Sequence, residues 1–231
     1  MSTTAPSSAT GVLAIERASR PLPLVSGIAY SLSWVVGLFV FSSSTEVRSS
    51  GTQVLRSYTG HQGAVALQYV LTEGLPAVLL AAVACLLAQA ISERATTKRR
   101  LVLAGGLAAA TVSLVQLALG LWLSVGVISD RDAGAAGAIF RSINRLDGVK
   151  MLLIAVVALV ATRAIRRRDV HLPNWLAQVA AALAATITVS AIGYLALDNT
   201  FAVAAWVSLP CLLIFVTGTG IALSRHTAAR P

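Results

Sequence analysis

The sequence predicts an all-α membrane protein, a polytopic bundle of about six transmembrane helices. Of its 231 residues, 56% are hydrophobic and only 12% are charged. The charges are also unevenly placed, because no Asp, Glu, Lys or Arg occurs in residues 21–45, 101–129, 170–197 or 199–224. A soluble helical domain needs charges on its exposed faces, whereas these stretches match the ~20 apolar residues that cross a ~30 Å hydrocarbon core.

The apolar runs define six spans in chain order. Backbone groups in lipid must form hydrogen bonds within their own segment, so we expect helices rather than strands. The predicted spans cover residues 24–41, 64–91, 101–128, a fourth segment that ends near 165, 175–197 and 201–223. They form a single bundle, residues 21–224, between a disordered N-terminal tail (1–20) and a C-terminal tail (225–231).

The fourth span is unusual because its uncharged stretch, residues 151–162, is too short to cross a bilayer. A helix of that length rises only about 18 Å, less than the ~30 Å core. We therefore expect the helix to extend outward through Asp147 and Lys150. These two residues are three apart, so they share one helical face and can form an ion pair.

The distribution of basic residues predicts the orientation of the bundle. Twelve of the 18 Lys and Arg residues lie in the tails and loops on one side of the six spans, and six lie on the other side. By the positive-inside rule, both termini are on the inner side. We therefore predict a multi-pass membrane protein with this orientation.

The net charge of +9 does not indicate a nucleic-acid partner. The basic residues flank helix ends, where topology explains them, and no aromatic residues interleave them as in a single-strand binding groove. Three histidines, at 61, 171 and 226, are far apart, and Cys85 and Cys211 lie in apolar spans without metal-ligand spacing. We predict no nucleic-acid partner, no metal and no cofactor.

The first outer loop, residues 42–63, has a pattern of its own. Val54, Leu55 and Tyr58 recur at helical spacing beside polar neighbours. This predicts a short interfacial helix, with a simple polar loop as the alternative. Within the spans, small residues at helical spacing, such as Gly105 with Ala109, indicate helices that approach closely.

Glu73 is the strongest candidate for a functional residue. It lies inside an apolar span, shortly before Pro76. Ionisable groups at membrane depth are costly and commonly functional. A protonated Glu73 could donate a proton, whereas a paired Glu73 could anchor a cation or hold helices together, and the sequence leaves these alternatives open.

Further polar and aromatic residues are expected around Glu73 in the outer half of the bundle. We predict Glu73, Asp147 and Asp198 as catalytic residues, and the following side chains as substrate-binding: Tyr30, Trp34, Gln68, Tyr69, Gln116, Trp122, Lys150 and Tyr194. The structural alternatives are that Asp198 caps the sixth helix, that Gln116 is an interhelical hydrogen-bonding residue, and that Asp147 and Lys150 form a structural ion pair.

Two motifs in the predicted connections resemble those of a known group of proteins. Tyr58 and His61 form a Tyr-x-x-His loop, and residues 172–176 read Leu-Pro-Asn-Trp-Leu. With these motifs the chain resembles a large family of small bacterial membrane proteins with six or so helices. The resemblance covers most of the chain and implies fold and topology, not an activity.

A weaker similarity, in size, helix count and an intramembrane acid, is to bacterial membrane-bound terpene cyclases, including those that act on prenylated indoles. This similarity implies an isomerase or lyase that starts cyclisation by protonating an alkene or epoxide. Glu73 would be the acid, Asp147 or Asp198 would tune or reprotonate it, and aromatic faces would stabilise carbocations.

The leading functional hypothesis is therefore an enzyme that acts on a lipid-like prenyl substrate. Its expected partners are that hydrophobic small molecule and the lipid bilayer, with a homo-oligomer left open. The alternative is a small membrane transporter, whose two halves would be inverted repeats, or a non-catalytic partner or sensor protein.

Overall fold

The computed structural model describes residues 22–42 and 45–228, with side chains described as far as Arg225. Through these residues the chain is helical and contains no strand, which confirms the all-α prediction. The predicted N-terminal tail, residues 1–20, lies outside the described residues, as do residues 229–231. The last helix continues to Ala228, into the segment predicted as a C-terminal tail.

Seven helices make up the described part of the chain. Six of them are long and apolar enough to cross a membrane, which confirms the predicted number of spans. The seventh, α2, is short. Their bounds are Leu22–Val40 (α1), Gly51–Tyr58 (α2), Gln62–Ala90 (α3), Glu93–Asp130 (α4), Ala133–Arg166 (α5), Asn174–Ala196 (α6) and Asn199–Arg225 (α7, which continues to Ala228).

Helix α5 resolves the problem of the short fourth span. It runs unbroken for 34 residues, from Ala133 to Arg166, and begins well before the uncharged stretch. Asp132 starts it by accepting a hydrogen bond from the backbone N–H of Ala135 at 3.0 Å, as an N-cap residue does. Asp147 and Lys150 therefore lie inside the helix and inside the bundle, as the sequence predicted.

The six long helices pack as a ring in the order of the chain. Each one packs against its neighbour in sequence, and α7 closes the ring on α1. Short connections between antiparallel helices favour this arrangement. Helix α7 also touches α3 across the ring, so the interior is filled by side chains from several helices.

Small residues allow the close approach of α1 and α7. A Cβ atom added at Gly220 would lie 2.4 Å from the carbonyl oxygen of Pro23 and 3.2 Å from the Cα of Gly27. The hydroxyl groups of Ser31 and Thr217 are 2.6 Å apart at the same contact. Packing of this kind and interhelical hydrogen bonds drive helix association in lipid, where the hydrophobic effect does not.

The short helix predicted in the first outer loop is present as α2. Ser50 and Gln53 form a capping box at its start. Val54 and Tyr58 are buried, and the helix packs against the outer part of α5. Gly51 permits this contact, since a Cβ atom there would lie 1.7 Å from the carbonyl oxygen of Ala133. Helix α2 thus covers the portion of α5 that extends beyond its apolar run.

The loops at the opposite end of the bundle are docked to each other. Lys98 forms an ion pair with Asp169, and the backbone N–H of Ser92 donates to the carbonyl oxygen of Asp169 at 2.8 Å. The two basic groups, residues 94–100 and 163–168, therefore lie at one end. Their joint position agrees with a single inner surface under the positive-inside rule.

We expect cysteine labelling in intact cells to place α2 outside and the α3–α4 connection inside. Thr52 and Thr97 are both exposed, so Thr52→Cys should react with a membrane-impermeant maleimide and Thr97→Cys should react only after lysis. Cys85 and Cys211 would first be replaced by alanine. Labelling of Thr97→Cys before lysis, without labelling of Thr52→Cys, would show that the orientation is the opposite of the predicted one.

Candidate functional site

Glu73 lies in a widened turn of α3. The helix changes from α-helical to π-helical geometry over Val70–Gly74, and the backbone N–H of Leu75 bonds to the carbonyl oxygen of Val70, five residues earlier. Pro76 accounts for this turn, because proline has no N–H and its ring would collide with the carbonyl group four residues earlier in a regular helix. Such turns are frequent at functional sites.

An ion cluster, defined here as Glu73, Asp147 and Lys150, connects α3 to α5. Lys150 Nζ lies 2.9 and 2.7 Å from the two carboxylate oxygens of Glu73 and 2.7 Å from Oδ1 of Asp147. Ser113 on α4 donates to Oε2 of Glu73 at 2.8 Å. The Asp147–Lys150 pair expected from sequence is therefore present, and it is part of a larger cluster.

The cluster contains one more carboxyl group than ammonium group. Glu73 and Lys150 are 6% and 5% exposed, and the Asp147 side chain is 19% exposed. If all three groups were ionised, the cluster would have a net charge of −1. A buried net charge is costly unless it is compensated. The cluster is therefore suited to hold one further positive charge, from a proton or a bound cation.

Gln116 on α4 joins the cluster to the neighbouring backbone. Its Nε2 donates to the carbonyl oxygen of Ile143 at 3.2 Å and to Oδ1 of Asp147 at 3.3 Å. Its Oε1 is buried and has no hydrogen-bond partner among the described residues. Gln116 is thus both an interhelical hydrogen-bonding residue and a contact of a predicted catalytic carboxylate.

A cavity of about 540 Å³ lies beside the cluster in the predicted outer half of the bundle. It is bordered by α1, α5, α6, α7 and the segment 45–47. Asp147 and Lys150 form its charged wall, and Trp34, Tyr194 and Trp206 contribute aromatic rings. Most of the remaining lining is apolar, including Leu38, Val47, Met151, Ile187, Val203 and Leu212. A mostly apolar pocket with a few convergent polar groups is typical of a small-molecule site.

The segment 45–47 is held across the cavity mouth by a polar contact. Glu46 accepts a hydrogen bond from the side-chain amide of Asn199, at the start of α7. The backbone N–H of Glu46 in turn donates to the hydroxyl of Ser49 at 2.8 Å. This contact could not be predicted, because Glu46 and Asn199 both lie outside the apolar spans expected from the sequence.

Four of the predicted binding residues lie around the cluster or the cavity in addition to Lys150. Trp34 and Tyr194 line the cavity, and Lys150 Nζ is 6.0 Å from the centre of the Trp34 ring. Tyr30 is 2% exposed and lies within electrostatic range of the ion cluster. Gln116 contacts Asp147 directly, as described above.

Gln68 and Tyr69, also predicted as substrate-binding, are not among the residues that line the cavity. Gln68 donates to the carbonyl oxygens of Gly37 and Phe41 at the end of α1. The Tyr69 ring packs on Gly120, where an added Cβ would lie 2.4 Å away.

Trp122 and Asp198 are likewise not among the residues that line the cavity. Trp122 is 59% exposed on the outer surface of the bundle, as expected of a tryptophan near a membrane interface. Asp198 Oδ1 accepts a hydrogen bond from the backbone N–H of Thr200 at 2.8 Å. Asp198 therefore has the capping role that the sequence offered as its structural alternative.

Comparison with protein-family models, curated proteins and solved structures finds no match to this chain. The resemblances described from the sequence motifs therefore stay predictions. The functional argument rests on the geometry of the ion cluster and the cavity.

We expect Lys150→Met to destabilise the bundle by about 3–5 kcal/mol, because it leaves two buried carboxylates without their ammonium partner. The double variant Glu73→Gln/Lys150→Met should recover part of this loss, since only one carboxylate then remains. The stability of both variants is measured by thermal unfolding of the purified protein in detergent, monitored by circular dichroism.

The matched control is Lys98→Met, which makes the same change in the more exposed pair with Asp169. We expect this variant to lose about 1 kcal/mol or less of its free energy of unfolding. Equal losses for Lys98→Met and Lys150→Met would show that the cluster has no special energetic role.

Proposed function

We propose that this multi-pass protein is an enzyme of a bacterial inner membrane that acts on a lipid-like prenyl substrate. Its reaction is protonation-initiated terpene cyclisation. One observation supports the proposal above all: a cluster with one carboxyl group in excess presents Asp147 and Lys150 to a mostly apolar cavity with aromatic walls. Such a cluster can keep a proton away from bulk water and deliver it to an apolar substrate.

The proposal assigns the proton donor to Asp147 rather than Glu73. Glu73 accepts three hydrogen bonds, two from Lys150 and one from Ser113, and its side chain does not line the cavity. These contacts hold the Glu73 carboxyl group behind Lys150 and away from the cavity. Asp147 does line the cavity and is more exposed than the other two members. Glu73 then acts as a positioning residue that holds Lys150 against Asp147.

In this reaction the O–H bond of the Asp147 carboxylic acid breaks, and its proton forms a C–H bond at an alkene of the substrate. A second alkene attacks the resulting carbocation and closes a ring. Loss of a proton from the final carbocation to the Asp147 carboxylate regenerates the acid, so the product is an isomer of the substrate. Trp34 and Tyr194 stabilise the cations through their ring faces.

We expect the purified protein in detergent to convert a linear prenylated indole into a cyclic product of equal mass. Asp147→Asn should lower the rate at least about 100-fold, because the amide cannot donate the proton. Liquid chromatography with mass spectrometry measures the product. Asp198→Asn is the matched control and should turn over at the wild-type rate, since Asp198 only caps a helix turn.

The proposal fails if Asp147→Asn turns over as fast as the wild type. It also fails if the folded wild type gives no cyclic product from linear prenylated indoles or from a linear prenyl alcohol.

A further inference from the structure

We propose that the outer cavity binds lipophilic amines, that is, amphiphiles with an ammonium head group and an apolar tail. The head group would contact Asp147 and the aromatic rings, and the tail would fill the apolar remainder. This inference rests on the proposed function only because both concern the same cavity. Binding of an amine does not require any reaction to take place there.

The hydrogen-bond donors of the cluster are already used. An ammonium group has three N–H donors, and those of Lys150 are directed at both oxygens of Glu73 and at Oδ1 of Asp147. The side-chain amide of Gln116 donates to a backbone carbonyl and to the same Oδ1. An anionic head group would therefore meet no available donor from these two residues.

The acceptors of the cluster are not all used. Both contacts of the Asp147 carboxylate are made by Oδ1, and Oδ2 has no hydrogen-bond partner within the described part of the chain. A ligand that donates hydrogen bonds complements this arrangement, and a charged donor forms stronger bonds than a neutral one.

Charge favours the same ligand class. The charged side chains that line the cavity are Glu46, Asp147 and Lys150, and Glu73 lies directly behind Lys150. When all four are ionised, three negative charges face one positive charge. Electrostatic interactions are stronger in a low-dielectric cavity than in water, so the excess attracts a cation and repels an anion.

The walls of the cavity suit a cation with an apolar tail. Trp34 and Tyr194 line its interior, and Trp206, which is 81% exposed, lies at its edge. The Lys150 ammonium is 6.0 Å from the centre of the Trp34 ring. Aromatic faces attract cations, most strongly where water is excluded. The apolar side chains that complete the lining supply contacts for a hydrocarbon chain.

The experiment compares three probes with the same tail: dodecylamine, dodecanol and dodecanoate. The protein would be reconstituted in nanodiscs of neutral lipid, in a Trp122→Phe/Trp175→Phe background that leaves the two cavity tryptophans as reporters. We expect dodecylamine to quench their fluorescence saturably. The other two probes should bind at least tenfold more weakly, after correction for partition into protein-free nanodiscs.

Two variants test the recognition of the head group. Asp147→Asn should weaken dodecylamine binding at least tenfold and leave dodecanol unchanged. Glu46→Gln, at the exposed mouth, should weaken dodecylamine binding several-fold, and it keeps the inference falsifiable if Asp147→Asn does not fold. Asp198→Asn is the carboxylate control and should bind like the wild type.

Equal affinity for the three probes, or no loss in either Asp147→Asn or Glu46→Gln, would overturn the inference. Its failure is distinguishable from failure of the proposed function. Amine binding without cyclisation supports the inference alone, and cyclisation without amine preference supports only the enzyme.

Discussion

The ion pair between Lys150 and Glu73 is the interaction on which the site depends. Its two residues belong to α5 and α3, which are not neighbours in the ring of helices, so their side chains meet in the interior of the bundle. Two buried charges in lipid are stable only with good geometry and further hydrogen bonds. Ser113 supplies one of these to Glu73, and Asp147 accepts one from Lys150. The pair thereby connects α3, α4 and α5 at one point beside the cavity.

The same constraint gives the cavity its chemical character. Lys150 directs its donors at Glu73 and Asp147, so the carboxylate of Asp147 is left as the acidic group at the cavity wall. The excess carboxyl group needs a positive charge. A proton there makes the cluster an acid, and an ammonium group there makes the cavity a site for a lipophilic cation. Both proposals therefore follow from one charge imbalance next to aromatic rings.

Several features of the site could be predicted from sequence because their signals are local. Asp147 and Lys150 are three residues apart in one helix, so their pairing needed no knowledge of other helices. The extension of α5 followed from the length of an uncharged stretch compared with the bilayer. The contacts of Gln68 and Tyr69 with the end of α1 and with Gly120 could not be predicted, because these partners belong to other helices. The π-turn over Val70–Gly74 was not predicted either. Pro76 was the signal for that turn, but a proline does not specify how a helix accommodates it.

By itself, the sequence determined the class of protein, the number of spans and the residue that most needed a partner. These follow from transfer free energies, which depend on each residue and its near neighbours along the chain. Three further features became known from the packing of the helices: Lys150 is the partner of Glu73, Asp147 rather than Glu73 lines the cavity, and Asp198 caps a helix. The free-energy cost of burying a charged group can be estimated from that residue alone. Which side chain compensates for the charge depends on how the helices pack, because the partner is distant in the sequence.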